Sequence, residues 1–168
     1  MDVAARSAGP ADLPVVAALS RAGTAELRPH RGGEIWSQWE ARPEPIEPAL
    51  DALLDRGDAT IVVGTIDDAV VGYAIVAVHP LHDGRPVGHL TDLYVMPDGR
   101  GVGVGESLME SVTEWCRERQ CIGIDSIALP GDRATKNFFE SFGMVARALR
   151  VHRALPLSDP STPDRASR

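Results

Sequence analysis

Residues 59–95 hold three β-rich runs with almost no chain between them, and this limits the possible folds more than any other feature. "ATIVVGTI" (59–66) and "AVVGYAIVAV" (69–78) are separated only by Asp67-Asp68, and "VGHLTDLYV" (87–95) follows the turn "PLHDGRP". Two short acidic residues between apolar runs are hairpin chemistry. Connections this short join antiparallel neighbours, because a parallel pair needs a crossover of a dozen or more residues. The centre of the chain therefore reads as three consecutive antiparallel strands.

Helical patterns flank this block. Asp12 is a candidate N-cap for a helix with an apolar stripe of Leu13, Val16, Ala17 and Leu19. Residues 28–48, rich in Pro, Gly and charge, read as a functional loop with a short helical piece bearing Trp36 and Trp39. "IEPALDALLDRG" is a second helix, ended by Gly57. Beyond the third strand, residues 104–119 form a helix with Val104, Leu108, Val112 and Trp115 on one face. "IGIDSIAL" reads as a strand, "DRATKNFFESF" as a helix closed by Gly143, and "MVARALRVHRAL" as a last strand. A short first strand falls within residues 3–8. The expected architecture is α+β, with a mixed, mostly antiparallel central sheet flanked by helices. Residues 1–155 form one domain, and the polar, Pro/Ser-rich residues 156–168 are expected to be disordered.

The chain has 168 residues, enough for one sizeable core, and a net charge of −7. That balance argues against nucleic acid or an anionic membrane as partner. No charged N-terminal segment leads into an apolar one, and no run is long enough to cross a bilayer. Cys116 and Cys121 match neither a disulfide framework nor paired metal ligands, so the expected setting is the reducing cytoplasm. His79, His82 and Asp83 surround a single hairpin turn with Pro80 between them, and no metal site is expected from them.

The third strand runs into "MPDGRGVGVGESLMESV". Gly101, Gly103 and Gly105 cluster where a strand ends and a helix begins, although glycine is costly inside either element. A helix N-terminus exposes unpaired N–H groups and partial positive charge, which suits an anion. Absent side chains would let a bulky diphosphate reach those groups, and Arg100 can add a charge-assisted bond. The stretch is not a P-loop, because Glu106-Ser107 stands where Lys and then Ser or Thr would be. It is not the dinucleotide GxGxxG either, because Glu106 takes the place of the third glycine. A glycine-rich connection without a ligand is the remaining alternative.

"LYVMPDGRGVGVGESLMESV" resembles the acetyl-CoA-binding motif of the GNAT N-acetyltransferase superfamily: a strand, a short Pro-containing loop, then Arg100, Gly101, Val102, Gly103, Val104 and Gly105 opening a helix. "NFFESFGM" resembles that family's second landmark, and the order of elements matches over residues 60–154. The resemblance implies acetyl-CoA as cosubstrate, a small-molecule or peptide amine as acceptor, and direct attack in a ternary complex. Relatives often dimerise, so a homodimer is among the implied assemblies. The strand before the turn is bulged in the family, and by matching, Leu93, Tyr94 and Val95 offer backbone groups to the pantetheine arm. Asp132 and Phe139 match positions beside the coenzyme, and Asn137, one turn on from Asp132, is a candidate either for a coenzyme contact or for an ordinary place on the helix surface. Many relatives carry tyrosine at the Phe139 position, where its hydroxyl protonates the departing thiolate, and phenylalanine has no proton to give.

Acyl transfer to an amine needs a proton acceptor and a donor to the acyl oxygen. By matching, the Val95 N–H, placed at the bulge, is the candidate donor. The strand region where relatives hold their base contains His89, Thr91 and Asp92. His89 ranks first, because an unperturbed imidazole titrates at about 6.5. It shares a strand face with Thr91 unless a bulge intervenes. Asp92 ranks second, because a carboxylate needs burial to become a useful base. Glu34, Trp36, Trp39 and Glu40 occupy the segment that forms the acceptor wall in this family. A non-catalytic acyl-CoA sensor is the main alternative function.

Overall fold

The computed structural model describes residues 1–157. Five strands form one sheet in the order β1 (Val3–Ser7), β2 (Ala59–Ile66), β3 (Ala69–Pro80), β4 (Pro86–Val95) and β5 (Ile124–Asp125). The first four pair antiparallel and β5 joins β4 in parallel. The mixed, mostly antiparallel sheet expected from the spacing is therefore present. The β2–β3 turn uses Asp67 and Asp68 at φ 46° and 67°, the left-handed conformation that a two-residue hairpin demands.

Helices cover both faces. On one side lie α1 (Leu13–Leu27) and α3 (Ile46–Leu54), with α2 (Gly33–Trp39) in the intervening loop. Leu13, Val16, Leu50 and Leu53 pack there on Ile61, Val63, Tyr73 and Ile75. On the other side α4 (Val104–Glu118) sets Val104, Leu108, Val112 and Cys116 against Val62, Ala74, Val76 and Leu90. The short helix α5 (Arg133–Ser141) adds Phe139 to this second cluster. Strand alternation explains the split, since successive side chains of one strand point to opposite faces. At Gly64 a Cβ would lie 2.7 Å from Val104 Cγ1, so glycine lets α4 rest directly on β2.

Three local expectations need correction. Asp12 does not cap α1 through its side chain; its carboxylate turns back to Arg6 and to the Gly9 N–H. The strand foreseen over "IGIDSIAL" is only Ile124–Asp125, because β4 and β5 part immediately afterwards. Residues 144–155, read as a last strand, carry no strand pairing; Val145, Leu149 and Val151 are more than four-fifths exposed. Their alternation is real, but a strand needs a partner as well as a pattern. Of the foreseen disordered tail, Pro156 and Leu157 carry no regular structure, and residues 158–168 lie outside the described residues.

Gly64→Ala is expected to destabilise the protein by about 1–3 kcal/mol, the usual cost of overpacking a close contact. A lower urea midpoint at unchanged slope will show it.

Candidate active site

The site begins where β4 loses its neighbour. β5 pairs with β4 only at Gly88 and His89. One further link, from Ser126 Oγ to the Leu90 carbonyl at 3.0 Å, follows before the two chains separate. Beyond it, the outer edge of β4 has no strand partner. Met96 N–H donates to Val71 of β3, while the Val95 carbonyl accepts from Arg100 Nε at 2.8 Å. Val95 therefore turns its N–H and C=O away from β3. Strand alternation gives Leu93 the same direction and turns the Tyr94 backbone toward β3, where it is paired with Tyr73. Of the three residues proposed to offer backbone groups, Leu93 and Val95 are suitably turned and Tyr94 is not.

The glycine bend lies at the end of that edge. Gly101 and Gly103 have φ of 76° and 99°, a region that disfavours side chains. A Cβ on either would meet no atom within 4 Å, so both face open space. Gly103 is the N-cap of α4, and the first bond of the helix runs from Ser107 N–H to its carbonyl. The N–H groups of Gly103, Val104, Gly105 and Glu106 are thus the orphan donors of this helix end. Val104 is fully buried and offers only backbone here, whereas the Val102 side chain is exposed. Gly105 has a different reason to be glycine: its Cβ would lie 3.1 Å from Phe138 Cε2, so it admits α5 rather than clearing a path for an anion. The Glu106 side chain is exposed, and no third glycine is required at its place.

Arg100 also departs from expectation. Its guanidinium does not lie free beside the bend. It makes a two-pronged pair with Glu26 of α1, at 2.8 Å on both nitrogens, and sits 5.4 Å from the centre of the Tyr94 ring. The Tyr94 hydroxyl donates to the same carboxylate at 3.1 Å. Arg100, and then the Tyr94 hydroxyl, hold the Glu26 carboxyl below its ordinary range.

The bulge in β4 decides which side chains share a face. Ile75 is opposite Asp92 and Val76 opposite Leu90, so Thr91 is the extra residue. It lies four residues before Val95, not at it. Because of it, His89 and Asp92 share the face of Tyr73 and α1, and the expected His89–Thr91 alternation is broken. His89 is exposed and lies near Asp125, whose carboxyl Arg147 holds below its ordinary value. Asp92 is committed elsewhere. Its oxygens accept from Arg42 Nη2 at 2.8 Å, Arg42 Nε at 3.2 Å, Thr91 Oγ1 at 2.6 Å and the Tyr73 hydroxyl at 3.1 Å. With its lone pairs so occupied it ties the α2–α3 loop to the bulge as a structural anion. Burial, and then the Asp92 charge, push the Tyr73 hydroxyl well above its ordinary value, so it stays protonated.

Among the remaining candidates, Asp132 caps α5 by accepting from Thr135 N–H at 3.1 Å. Asn137 is exposed on that helix. Phe139 is 8% exposed and belongs to the packed cluster under α4. Trp39 is 74% exposed, with the Arg150 guanidinium 5.6 Å from its ring centre. Arg150 also pairs with Glu40. Glu34 is spent on Arg28. Among the described residues, no three His, Cys, Asp or Glu side chains gather as metal ligands, and no helix is long and apolar enough to cross a membrane. Glu26, Arg42, Tyr73 and Asp125 escaped the sequence reading. The only signal was Gly23 three residues before Glu26, which puts both on one face of α1, and a glycine there admits the Tyr94 ring.

Residues 23–144 match the Acetyltransferase (GNAT) family, and the chain belongs to it. The aminoglycoside N(6')-acetyltransferase type 1 of Stenotrophomonas maltophilia is 33% identical over 95 residues, 51% of this chain and 62% of that one. The chain thus spans less than two thirds of this curated relative. Solved structures share the fold. One is AAC(6')-Iy in complex with the bisubstrate analog CoA-S-monomethyl-acetylneamine, at TM-score 0.72 and 17% identity, covering 94% of this chain and 100% of that one. Another is a tetramutant of the BH1408 protein from Bacillus halodurans, at TM-score 0.76 and 22% identity, covering 92% and 100%.

The paired carboxylates make a prediction about acid stability. Asp12, Glu26 and Asp125 have folded values below their ordinary 3.8, 4.5 and 3.8, caused first by Arg6, Arg100 and Arg147. A lowered folded value stabilises the protein above the ordinary value and ceases to do so as pH falls through the lowered one. Melting temperature should therefore be flat above about pH 5 and fall below about pH 4, and Glu26→Gln should make that fall shallower in a pH series of thermal melts.

Proposed function

We propose that the chain transfers an acetyl group from acetyl-CoA to a primary amine held in the same complex. The observation that carries this reading is the pairing of two features at one end of β4. One is an unshared strand edge at Leu93 and Val95; the other is a helix N-terminus whose two left-handed glycines face open space. The first suits a peptide-like arm that adds as a strand. The second suits a diphosphate, with Gly101, Val102, Gly103, Val104 and Gly105 contributing backbone. Asp132 at the α5 N-cap and the exposed Asn137 are the proposed secondary coenzyme contacts, and Phe139, packed under α4, supports them from the core. The open Cβ directions of Gly101 and Gly103 fit such a ligand, because a side chain there would obstruct it.

The coenzyme would supply an acyl carbon activated as a thioester. The amine nitrogen bonds to that carbon, the carbon–sulfur bond breaks, and the electron pair leaves on sulfur. The Val95 N–H, turned to the opening, donates to the acyl oxygen. His89, exposed on the α1 side of β4, takes the proton from the attacking amine through a chain of waters, because the six strand steps between it and Val95 span roughly 17–20 Å at ~3.3 Å each. Asp92 shapes the bulge rather than accepting the proton. Phe139 has no proton for sulfur, but a thiol of ordinary pKa about 8.5 is a tolerable leaving group without help.

A small or peptide amine is the proposed acceptor. The name of the Stenotrophomonas relative supports a cationic one, whereas Trp39 and Glu40 already hold the Arg150 guanidinium. The exposed apolar side chains of residues 145–157 support a homodimer. The acidic balance and the unpaired Cys116 and Cys121 support a cytoplasmic protein without nucleic acid or membrane partners. An acyl-CoA sensor is the second reading, favoured by Phe139 at the proton-donor position.

Acetyl-CoA should raise the melting temperature, and Gly103→Val should weaken its binding at least tenfold in calorimetry, by the strain and obstruction of a side chain at φ 99°. With an amine panel and a free-thiol assay, His89→Gln should lower kcat by about 10²-fold or more while acetyl-CoA binding holds. Thiol release by neither protein, despite tight acetyl-CoA binding, would favour the sensor.

A further inference from the structure

Arg100 opens the glycine bend, yet its side chain runs back toward α1. All three guanidinium nitrogens are engaged: Nε on the Val95 carbonyl, Nη1 on Glu26 Oε1 and Nη2 on Glu26 Oε2, each at 2.8 Å. Glu26 receives a third bond from the Tyr94 hydroxyl. The Tyr94 ring lies against α1 where a Cβ on Gly23 would come within 3.0 Å of it. One turn of α1 thus grips residues 94, 95 and 100 together. The Glu26 and Arg100 side chains are 38% and 45% exposed, so the ion pair adds little to folding. What it does supply is geometry. A planar fork bonded at three nitrogens admits one orientation, and Lys could not reproduce it.

We propose that Glu26 is a positioning residue for coenzyme binding. Through Arg100 and Tyr94 it locks the Val95 end of the β4 edge that receives the arm, and it leaves the diphosphate to the backbone amides of the bend. This rests on the coenzyme reading above and adds to it a division of labour. Arg100 cannot turn its fork on a phosphate without releasing Glu26. The Val95 carbonyl has a second lone pair, so it can hold Arg100 and still accept from the arm. A fixed Val95 carbonyl also fixes the N–H of the same residue, the donor to the acyl oxygen.

The test uses full-length protein, calorimetry and two probes: CoA, and adenosine 3′-phosphate 5′-diphosphate, which is the coenzyme without its arm. Glu26→Gln and Arg100→Gln are each expected to weaken CoA about tenfold, the worth of one charge-assisted bond. The double variant should be no worse than either single, because the pair acts as a unit. Arg100→Lys should not restore binding. The armless probe should bind all variants within about twofold of the parent, given that backbone amides hold it. Without any ligand, the Val95 amide resonance should broaden in both single variants while those of β2 stay sharp. Arg100→Gln weakening the armless probe as much as CoA would overturn the proposal, because Arg100 would then be a phosphate ligand. Tighter CoA binding by Glu26→Gln would overturn it too, showing that Glu26 competes with the phosphates. If the parent binds CoA and neither variant differs from it, only this inference fails. If the folded parent binds no CoA, the coenzyme reading itself fails.

Discussion

The single unpaired residue at Thr91 governs the architecture of the functional end. A bulge leaves a residue without a partner, bends its strand and adds twist. Here β4 stays with β3 through to Val95, while β5 holds β4 only at Gly88 and His89. The part of β4 beyond the bulge then has one edge in the sheet and one edge outside it. Backbone polar groups need partners wherever water is excluded, so such an edge is ready to accept a peptide-like ligand. The same extra residue rotates the strand's later side chains by one position. That brings Asp92 and Tyr94 onto the face of α1, and Leu93 and Val95 onto the face of α4.

Each side of the sheet secures the bulge in its own way. On the α1 side, Arg42 reaches from the α2–α3 loop to Asp92, joined by Thr91 and by the buried Tyr73 hydroxyl. Both members of the Arg42–Asp92 pair are mostly buried, so each needs the other: a carboxylate left there alone would carry an uncompensated desolvation cost. On the α4 side, glycines let the helix come close. Gly88 would place a Cβ 2.5 Å from Cys116 Sγ, so α4 lies nearly on the β4 backbone. Burial pushes the Cys116 thiol up to about 12, and it serves as core rather than as a nucleophile. With the helix fixed this way, the start of α4 and the end of β4 keep a constant relation across the glycine bend.

The three glycines of that bend look equivalent in a line of letters but differ in the fold. Gly101 and Gly103 are required by backbone conformation and face open space, whereas Gly105 is required by the ring of Phe138. A motif read by spacing joins two physical causes, one of backbone conformation and one of packing. The C-terminal run is a similar case. Its alternation satisfies the sequence rule for a strand, yet Val145, Leu149 and Val151 stay exposed because the neighbouring β5 is two residues long. Pattern specifies what a segment can pair as, and the sheet edge available to it specifies whether it does.

The letters alone were enough for much of what depends on neighbours in the chain. The Asp67-Asp68 hairpin, the three antiparallel strands, the apolar stripe of α4 and the glycine bend all follow from short spacings along the chain, where sterics and side-chain periodicity act directly. The family was legible for the same reason, since its motif is one unbroken stretch of strand, bend and helix. Contacts between residues distant in sequence were settled only by folding. Glu26 meets Arg100 across 74 positions and Arg42 meets Asp92 across 50, and apart from Gly23 beside Glu26 neither pair leaves a local trace. The reach of an arginine is set by where whole helices lie on a twisted sheet. That placement is decided by the summed packing of both cores, and it set the side chains of Arg100 and Asp92 against Glu26 and Arg42.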